Sequence, residues 1–109
     1  MSVITTHVLD TVLGKPATGI EVRLDRREGL AWTLVRESTT DADGRCRDLA
    51  NEGSPAVYRL TFAVGDYLAL KGRSSIYPEI SIPFNCDGKE HYHLPLLLSD
   101  NCYTTYRGS

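Results

Sequence analysis

One stretch near the end of the sequence limits how the rest can be arranged, and it runs His91-Tyr92-His93-Leu94-Pro95-Leu96-Leu97-Leu98. Successive side chains of a β-strand point to opposite faces, so every second residue shares a face. The even-numbered residues here are apolar and predict a side that packs into a core. The odd-numbered residues begin with His91 and His93, so the opposite side carries two titratable rings.

Similar alternation recurs in short segments along the chain. It predicts further strands at 3–10, 20–26, 31–37, 45–49, 58–64, 80–84 and 103–107. In the second of these segments, Asp25 is predicted to face outward. In the third, Trp32 and Leu34 are predicted to face the core.

Turn residues predict how these strands are connected. A turn at Gly29 predicts a hairpin between the second and third segments, and Asp87-Gly88 predicts a second hairpin into the histidine strand. Asp66 is a predicted N-cap for a short helix over 67–71, which Gly72 would end. About eight short strands at regular spacing with one short helix predict an all-β fold of the sandwich type.

Length and composition exclude several classes of protein. With 109 residues and a formal net charge of −2, the chain is predicted to fold as one domain spanning 1–109. No basic run exceeds Arg26-Arg27, which argues against nucleic-acid binding. There is no signal-peptide pattern and no apolar run of about 20 residues, so no membrane association is expected. Three cysteines without a CxxC spacing indicate reduced thiols and a cytoplasmic protein.

The three histidines of the chain all fall in predicted strands. If the first predicted strand pairs beside the histidine strand, His7 shares a face with His91 and His93. The same face carries Leu9 and Leu97. Because this outward face is partly apolar, it predicts a pocket or a subunit interface rather than contact with open water.

More than one chemistry is open to this histidine face. Three solvated surface histidines would need no partner. A catalytic zinc ion could take the three rings as ligands and keep one position for water, although no Asp or Glu alternates with them to orient the rings. Cys102 as a nucleophile would need an orienting third group, and the pattern identifies none.

Short motifs occur from one end of the chain to the other. They are Thr6-His7-Val8-Leu9-Asp10, Gly14-Lys15-Pro16-Ala17, Asp43-Gly44-Arg45, Phe62 with Gly65-Asp66-Tyr67, Tyr77-Pro78-Glu79-Ile80, the histidine strand with Ser99, and Tyr106-Arg107-Gly108-Ser109. Together they resemble the 5-hydroxyisourate hydrolases, the enzyme branch of the transthyretin-like family. True transthyretins, which carry thyroid hormone, resemble the chain in fold but lack these histidines and this ending.

The resemblance implies a transthyretin-like two-sheet β-sandwich. It also implies assembly as a homotetramer, a dimer of dimers, with active sites in the channel between the dimers. The implied reaction is hydrolysis of 5-hydroxyisourate to 2-oxo-4-hydroxy-4-carboxy-5-ureidoimidazoline in urate breakdown, without a metal or a cofactor. The alternatives are a non-catalytic transthyretin-like carrier that binds a ligand in the same channel, and a zinc-dependent hydrolase that uses the three histidines.

The resemblance also assigns the site residues. It implies catalytic roles for His7, Arg45, His93 and Ser109. It implies substrate contacts from His7, Arg45, Tyr106, Ser109 and His91. A histidine near its ordinary pKa of about 6.5 can deprotonate water near neutral pH. The planar fork of an arginine suits an anionic ring or a developing oxyanion.

The end of the sequence is predicted to reach the site. A strand at 103–107 would hold Gly108 and Ser109 near the histidines, with a glycine where the backbone must approach another group closely. Pro95 cannot donate to a strand ladder, so the pairing beside it is predicted to be irregular. The chain departs from the family pattern at Asp100-Asn101-Cys102, where the family usually has a Tyr-Gly pair.

Overall fold

The computed structural model describes residues 3–51 and 54–108, and within these ranges the chain forms nine β-strands and one α-helix. In chain order they are β1 (Ile4–Asp10), β2 (Lys15–Pro16), β3 (Glu21–Glu28), β4 (Ala31–Thr39), β5 (Arg45–Ala50), β6 (Ala56–Phe62), α1 (Val64–Leu70), β7 (Ile80–Cys86), β8 (Tyr92–Leu98) and β9 (Tyr103–Thr105). The predicted all-β class with one short helix is confirmed.

The strands form two sheets, as predicted. The first sheet has the order β2-β1-β8-β9, with β5 also paired to β1, and the second has the order β4-β3-β6-β7. Among the described strands, β1 and β8 pair in parallel and the other pairs are antiparallel. Because β1 has neighbours on both sides, its outward side chains lie in the middle of the first sheet.

The hydrophobic core lies between the two sheets. Alternate residues of the strands supply it, including Ile4 and Val8 of β1, Leu60 of β6, and Leu96 of β8, each with no exposed surface. The inward face predicted for the histidine strand, which includes Leu96, is therefore confirmed. Burying one such side chain stabilises a fold by about 1.5–3 kcal/mol.

All three cysteines are free thiols. Cys46 and Cys86 are buried in the core, and Cys102 is exposed. Burial raises the pKa of the Cys46 thiol to about 11, so this side chain is a packed apolar group rather than a nucleophile.

The orientation predicted for the edge strand β4 is wrong. Its pairing with β3 skips one residue, Val35, so that Leu34 lies opposite Asp25 and Trp32 lies opposite Arg27. A bulge of one residue moves the side chains on one side of it to the other face of the sheet. Trp32 and Leu34 therefore point outward, and half of the Leu34 side chain is exposed.

The outer face near this bulge is covered by charged side chains. The guanidinium carbon of Arg59 lies 4.3 Å from the centroid of the Trp32 ring, which is a cation–π contact. Asp25 accepts hydrogen bonds from Arg59 at 3.1 Å and from Arg23 at 3.4 Å, and only 3% of its surface is exposed. Asp25 thus faces outward as predicted, but the side chains around it bury it.

The Asp87-Gly88 turn does not form the predicted hairpin. β7 pairs with β6 in the second sheet, whereas β8 pairs with β1 in the first, so the turn carries the chain from one sheet to the other. The backbone N–H of Asp87 donates a hydrogen bond to the Tyr92 hydroxyl at the start of β8. A turn sequence specifies a local bend but not which ladder the next strand joins, and this explains the error.

The helix α1, the one helix in the described part of the chain, begins at Val64, earlier than predicted. Its N-cap residue is Ala63, which makes no side-chain capping bond, so the N-cap prediction for Asp66 is wrong. Asp66 lies instead in the first turn, where a negative charge favours the helix dipole. Gly72, with a φ of 69°, follows the C-cap residue and ends the helix as predicted. The described residues contain no helix that is long and apolar enough to span a bilayer.

A buried carboxylate at the end of β1 connects three parts of the fold. Asp10 has no exposed surface and accepts hydrogen bonds from the Tyr67 hydroxyl at 2.9 Å and from the Arg73 guanidinium at 2.6 and 3.2 Å. Its Oδ1 also accepts from the backbone N–H groups of Val12 and Leu13. Burial alone would raise the pKa of Asp10, but the bonds from the arginine, the phenol and the backbone outweigh burial and hold this pKa below its ordinary value.

The residues that depart from the family pattern contact the segment after α1. Asp100 accepts hydrogen bonds from Nε and Nη2 of Arg73 at 2.9 and 2.6 Å. The side-chain oxygen of Asn101 accepts from the backbone N–H of Ile76 at 2.9 Å. The turn between β8 and β9 is therefore held against the body of the protein by charged and polar contacts.

Candidate active site

The pairing of β1 brings the predicted site residues together. His7 lies opposite Arg45 of β5 on one side and opposite Pro95 of β8 on the other. Two residues earlier, Thr5 lies opposite His93. Neighbouring strands are about 4.8 Å apart, so His7, Arg45 and His93 meet on the outer face of the first sheet. The pairing of the first strand beside the histidine strand, on which this arrangement depended, is confirmed.

Thr5 connects the two histidines of the last part of the chain. Its Oγ1 lies 2.8 Å from Nδ1 of His93 and 2.9 Å from Nε2 of His91, and the centroids of the two rings are 6.3 Å apart. His93 is half-buried and His91 is exposed. Sequence reasoning missed Thr5, although its position two residues before His7 was enough to put it on the histidine face.

Burial and nearby positive charge lower the pKa of two of the rings. Desolvation lowers the pKa of His93, and the charge of Arg45 together with the other two histidines lowers it further. Desolvation and then Arg45 likewise lower the pKa of His7, against an opposing hydrogen bond to the Asp43 backbone. Both pKa values therefore lie below 6.5, and each neutral imidazole has a lone pair that can accept a proton.

An NMR titration of the histidine rings measures this effect directly. Because burial and the nearby positive charge disfavour the protonated rings, we expect His7 and His93 to become charged only as the pH falls below 6.5. The midpoint of the ring chemical shifts against pH gives each value. A midpoint at or above 6.5 for either ring would contradict the expectation.

Arg45 is the first residue of β5 and follows a tight turn. Oδ1 of Asp41 accepts hydrogen bonds from the N–H groups of Asp43 and Arg45 at 2.9 and 3.0 Å. Gly44 has a φ of 75°, and a Cβ there would collide with the carbonyl oxygen of Val8. Within residues 3–51 and 54–108 the Arg45 guanidinium makes no ion pair. Its charge is therefore available to the histidine face.

The chain beyond β9 returns to the ring of His93. The N–H of Gly108 donates to the His93 carbonyl at 2.7 Å, and a Cβ on Gly108 would lie 2.8 Å from Cδ2 of that ring. The close approach predicted for Gly108 is confirmed. Regular pairing of β8 with β9 ends at Leu96 and Thr105, and the Thr105 hydroxyl donates to the carbonyl of Pro95. The irregular pairing predicted at Pro95 is therefore also confirmed.

The remaining predicted site residues lie at the end of this segment. Tyr106 falls in the irregular part and is 53% exposed. Ser109 lies outside the described residues, so the role assigned to it stays a prediction. The structure thus brings together His7, Arg45 and His93, with His91 connected to them through Thr5.

The histidines are not arranged as a ready set of metal ligands. In the described ranges, no group of three or more His, Cys, Asp or Glu side chains is placed to hold a metal ion. Nε2 of His91 and Nδ1 of His93 both face the hydroxyl of Thr5. The predicted zinc alternative would therefore require these rings to turn.

A cavity of about 400 Å³ lies on the opposite sheet and includes none of the predicted site residues. Its walls carry the carboxylates of Glu21, Glu37, Asp66 and Glu79 beside one arginine. An acidic wall repels an anionic ligand, whereas the histidine face with the guanidinium of Arg45 attracts one. The chemistry therefore points to the histidine face rather than to this cavity.

The comparison with protein families gives a match over nearly the whole chain. The family described as HIUase/Transthyretin matches residues 4–108. The chain belongs to the HIUase/transthyretin family. Another protein of this kind, the 5-hydroxyisourate hydrolase of Caulobacter vibrioides, is 44% identical over 117 aligned positions that cover all of both sequences.

Solved structures similar to this member of the HIUase/transthyretin family include a hydrolase and a transthyretin. The 5-hydroxyisourate hydrolase of Klebsiella pneumoniae is 37% identical, covers all of both chains and has a TM-score of 0.86. Sea bream transthyretin in complex with thyroxine is 29% identical, covers 97% of this chain and 94% of its own, and has a TM-score of 0.93. The sequence identity is higher with the hydrolase, whereas the TM-score is higher with the transthyretin. The side chains of the histidine face must therefore decide between a hydrolase and a carrier.

Proposed function

We propose that this protein hydrolyses 5-hydroxyisourate, opening its ring in the degradation of urate. The observation that carries the proposal is the meeting of two imidazoles, His7 and His93, whose pKa values are lowered by burial and by Arg45, with the guanidinium of Arg45 on one face. The end-to-end similarity to proteins named 5-hydroxyisourate hydrolase supports the choice of substrate.

In the proposed reaction, water attacks a ring carbonyl of the substrate while a neutral histidine, His7 or His93, accepts its proton. The ring C–N bond then breaks, and the protonated histidine gives this proton to the leaving nitrogen. A correctly placed general base usually contributes about 10²–10⁴-fold to a rate. Arg45 holds the anionic substrate and stabilises the charge that develops on the attacked carbonyl oxygen. No metal or cofactor is needed, because a base and a cation supply the two functions that such a hydrolysis requires.

We further propose that substrate contacts also come from His91, Tyr106 and Ser109, whose polar groups can bond to the oxygens of the ring. In this proposal residues 1–109 act as a single domain within a homotetramer, a dimer of dimers. The apolar side chains of Leu9 and Leu97 on the histidine face support a subunit that covers it. The free thiols support a cytoplasmic location.

The test is turnover of freshly generated 5-hydroxyisourate, followed by the loss of its ultraviolet absorbance. We expect a rate far above the spontaneous one between about pH 6 and 8. We expect the same rate after treatment with a chelator, and elution of the protein as a tetramer in size-exclusion chromatography. No acceleration at any of these pH values would contradict the proposal, and loss of activity on chelation would favour the zinc-dependent reaction.

One observation favours a second function, which is the high TM-score with sea bream transthyretin in complex with thyroxine. A carrier would bind thyroxine and leave 5-hydroxyisourate unchanged. Sites for apolar ligands are mostly apolar, whereas this face carries three histidines and an arginine. Thyroxine binding together with no turnover would decide for the carrier.

A further inference from the structure

A single hydroxyl on the histidine face is shared by two rings. Oγ1 of Thr5 lies within hydrogen-bond distance of both Nδ1 of His93 and Nε2 of His91. A hydroxyl donates one hydrogen bond and accepts others. It can therefore donate to one ring only, and the second contact is a hydrogen bond only if the other ring donates to the oxygen.

The protonation state of His93 determines the direction of the two hydrogen bonds that Thr5 makes. When His93 takes up a proton, both of its nitrogens become donors, so Nδ1–H must donate to Thr5. The Thr5 hydroxyl is then free to donate to Nε2 of His91, and both contacts are satisfied. When His93 is neutral and the two hydrogen bonds keep this direction, its one ring proton lies on Nδ1. Nε2 is then the atom of the ring that can accept a proton.

The His93 ring is also confined on its other side. A Cβ on Gly108 would lie 2.8 Å from Cδ2, the carbon bonded to Nε2, so the backbone at Gly108 packs closely against that edge. The Gly108 N–H bond to the His93 carbonyl holds this backbone in place. The ring is therefore fixed between the Thr5 hydroxyl at Nδ1 and the Gly108 backbone at Cδ2.

We propose, on the basis of the hydrolase function proposed above, that Thr5 is a positioning residue that directs Nε2 of His93 to the attacking water and relays a proton to His91. Water gives its proton to Nε2 of His93 as its oxygen bonds to the substrate. The proton on Nδ1 then moves to Oγ1 of Thr5, while the proton of the Thr5 hydroxyl moves to Nε2 of His91. His93 is neutral again, and the exposed His91 holds the relayed proton. When the ring C–N bond breaks, Nε2 of His93 gives the proton taken from water to the leaving nitrogen, and the protons shift back from His91 through Thr5, so that both histidines return to their starting tautomers.

The kinetic test uses Thr5→Val, which keeps the shape of the side chain and removes the hydroxyl. We expect kcat to fall about 10–100-fold while KM changes by less than about threefold, because the change affects proton transfer and not substrate contacts. Thr5→Ser restores a hydroxyl and should recover most of the lost rate. The matched control is Thr61→Val, which removes a hydroxyl bonded to Ser81 on the other sheet and should leave the kinetics unchanged.

A second readout separates this proposal from the proposed function, because it needs no substrate. Nitrogen-15 chemical shifts of the His93 ring report which nitrogen carries the proton. We expect protonation at Nδ1 in the wild type and a shift towards protonation at Nε2 in Thr5→Val. If this change occurs in a protein that shows no turnover of 5-hydroxyisourate, the positioning role is supported and the hydrolase function is contradicted. Wild-type kcat in Thr5→Val would overturn the relay, and unchanged His93 shifts would overturn the positioning role.

Discussion

Replacing Arg45 with alanine is expected to lower kcat/KM for 5-hydroxyisourate by about 10²–10³-fold, the usual loss when a fixed donor to a developing oxyanion is removed. Arg45 lies opposite His7 in the β1–β5 pair, and its guanidinium makes no ion pair in the described parts of the chain. Its charge is therefore free to act on the substrate. Arg45→Lys should also remain well below the wild type, because an ammonium group cannot reproduce the planar fork.

Arg47→Ala is the matched control for this change. Arg47 lies in the same strand, but it is exposed and its guanidinium pairs with Asp41 at 2.7 Å and with Asp43 at 3.7 Å. We expect its removal to change kcat/KM by less than about twofold, since an exposed ion pair contributes little. Equal losses in the two variants would mean that Arg45 has no specific role.

The Arg45→Ala variant carries a second readout that is independent of substrate. The positive charge of Arg45 lowers the pKa of both His7 and His93. Its removal should therefore raise both values towards 6.5, as seen in the same ring titration. If the activity falls but neither midpoint moves, the arginine acts on the substrate alone and its effect on the histidines is wrong.

Asp10→Asn is expected to lower the free energy of unfolding by about 2–4 kcal/mol, the range for breaking a buried charge pair and its hydrogen bonds. The variant keeps the volume but removes the negative charge that Arg73 and the Tyr67 hydroxyl both bond. Asp100 still pairs with Arg73, which limits the loss. Thermal unfolding at one fixed protein concentration measures the effect, at roughly 4–8 °C per kcal/mol.

Asp48→Asn provides a close comparison. Asp48 also accepts from an arginine and a hydroxyl, those of Arg36 at 3.2 Å and Ser38 at 3.0 Å, but it is exposed. We expect a change in the free energy of unfolding within about 0.5 kcal/mol.

Because the pKa of Asp10 is lowered by folding, its stabilisation is complete above the ordinary value of 3.8 and is lost as the pH falls through the lowered value. A difference between wild type and Asp10→Asn that persisted at very low pH would contradict this account.

The features that were predicted correctly from the sequence are those with a local cause. Alternation with a period of two depends only on neighbouring residues, and it placed Leu94, Leu96 and Leu98 in the core correctly. The same rule put His91 and His93 on one face. The positive φ of Gly72 is likewise a local property, and the end of α1 followed from it.

The features that sequence predicted wrongly depend on contacts between strands. The extra residue at Val35 is a matter of register between β3 and β4, and it moved Trp32 to the outer face. The turn at Asp87-Gly88 has the composition of a hairpin turn, but the strands that flank it do not pair with each other. β7 pairs with β6, and β8 pairs with β1. Neither pairing leaves a signal in the residues of one strand.

The residues of the candidate site also divide into those that could be identified from the sequence and those that could not. Histidine and arginine are chemically distinctive, so His7, Arg45 and His93 could be named from their motifs. Thr5 is an ordinary strand residue until it meets His93, 88 positions away in the sequence. Asp10 similarly gains its importance from Arg73, 63 positions away, and its burial could not be seen in the first strand alone.

Because β1 pairs with β8, which is far away in the sequence, we expect the site to form late in folding. Thr5 and His93 meet only after a loop of 88 positions has closed, and loop closure costs more entropy as the loop grows. Contacts between residues so distant in sequence raise the contact order and slow folding. A partly folded chain in which only the second sheet has formed has neither the base nor its positioning hydroxyl in place. We therefore expect activity to return during refolding only after most strands have formed, because it requires β1 to pair with β8.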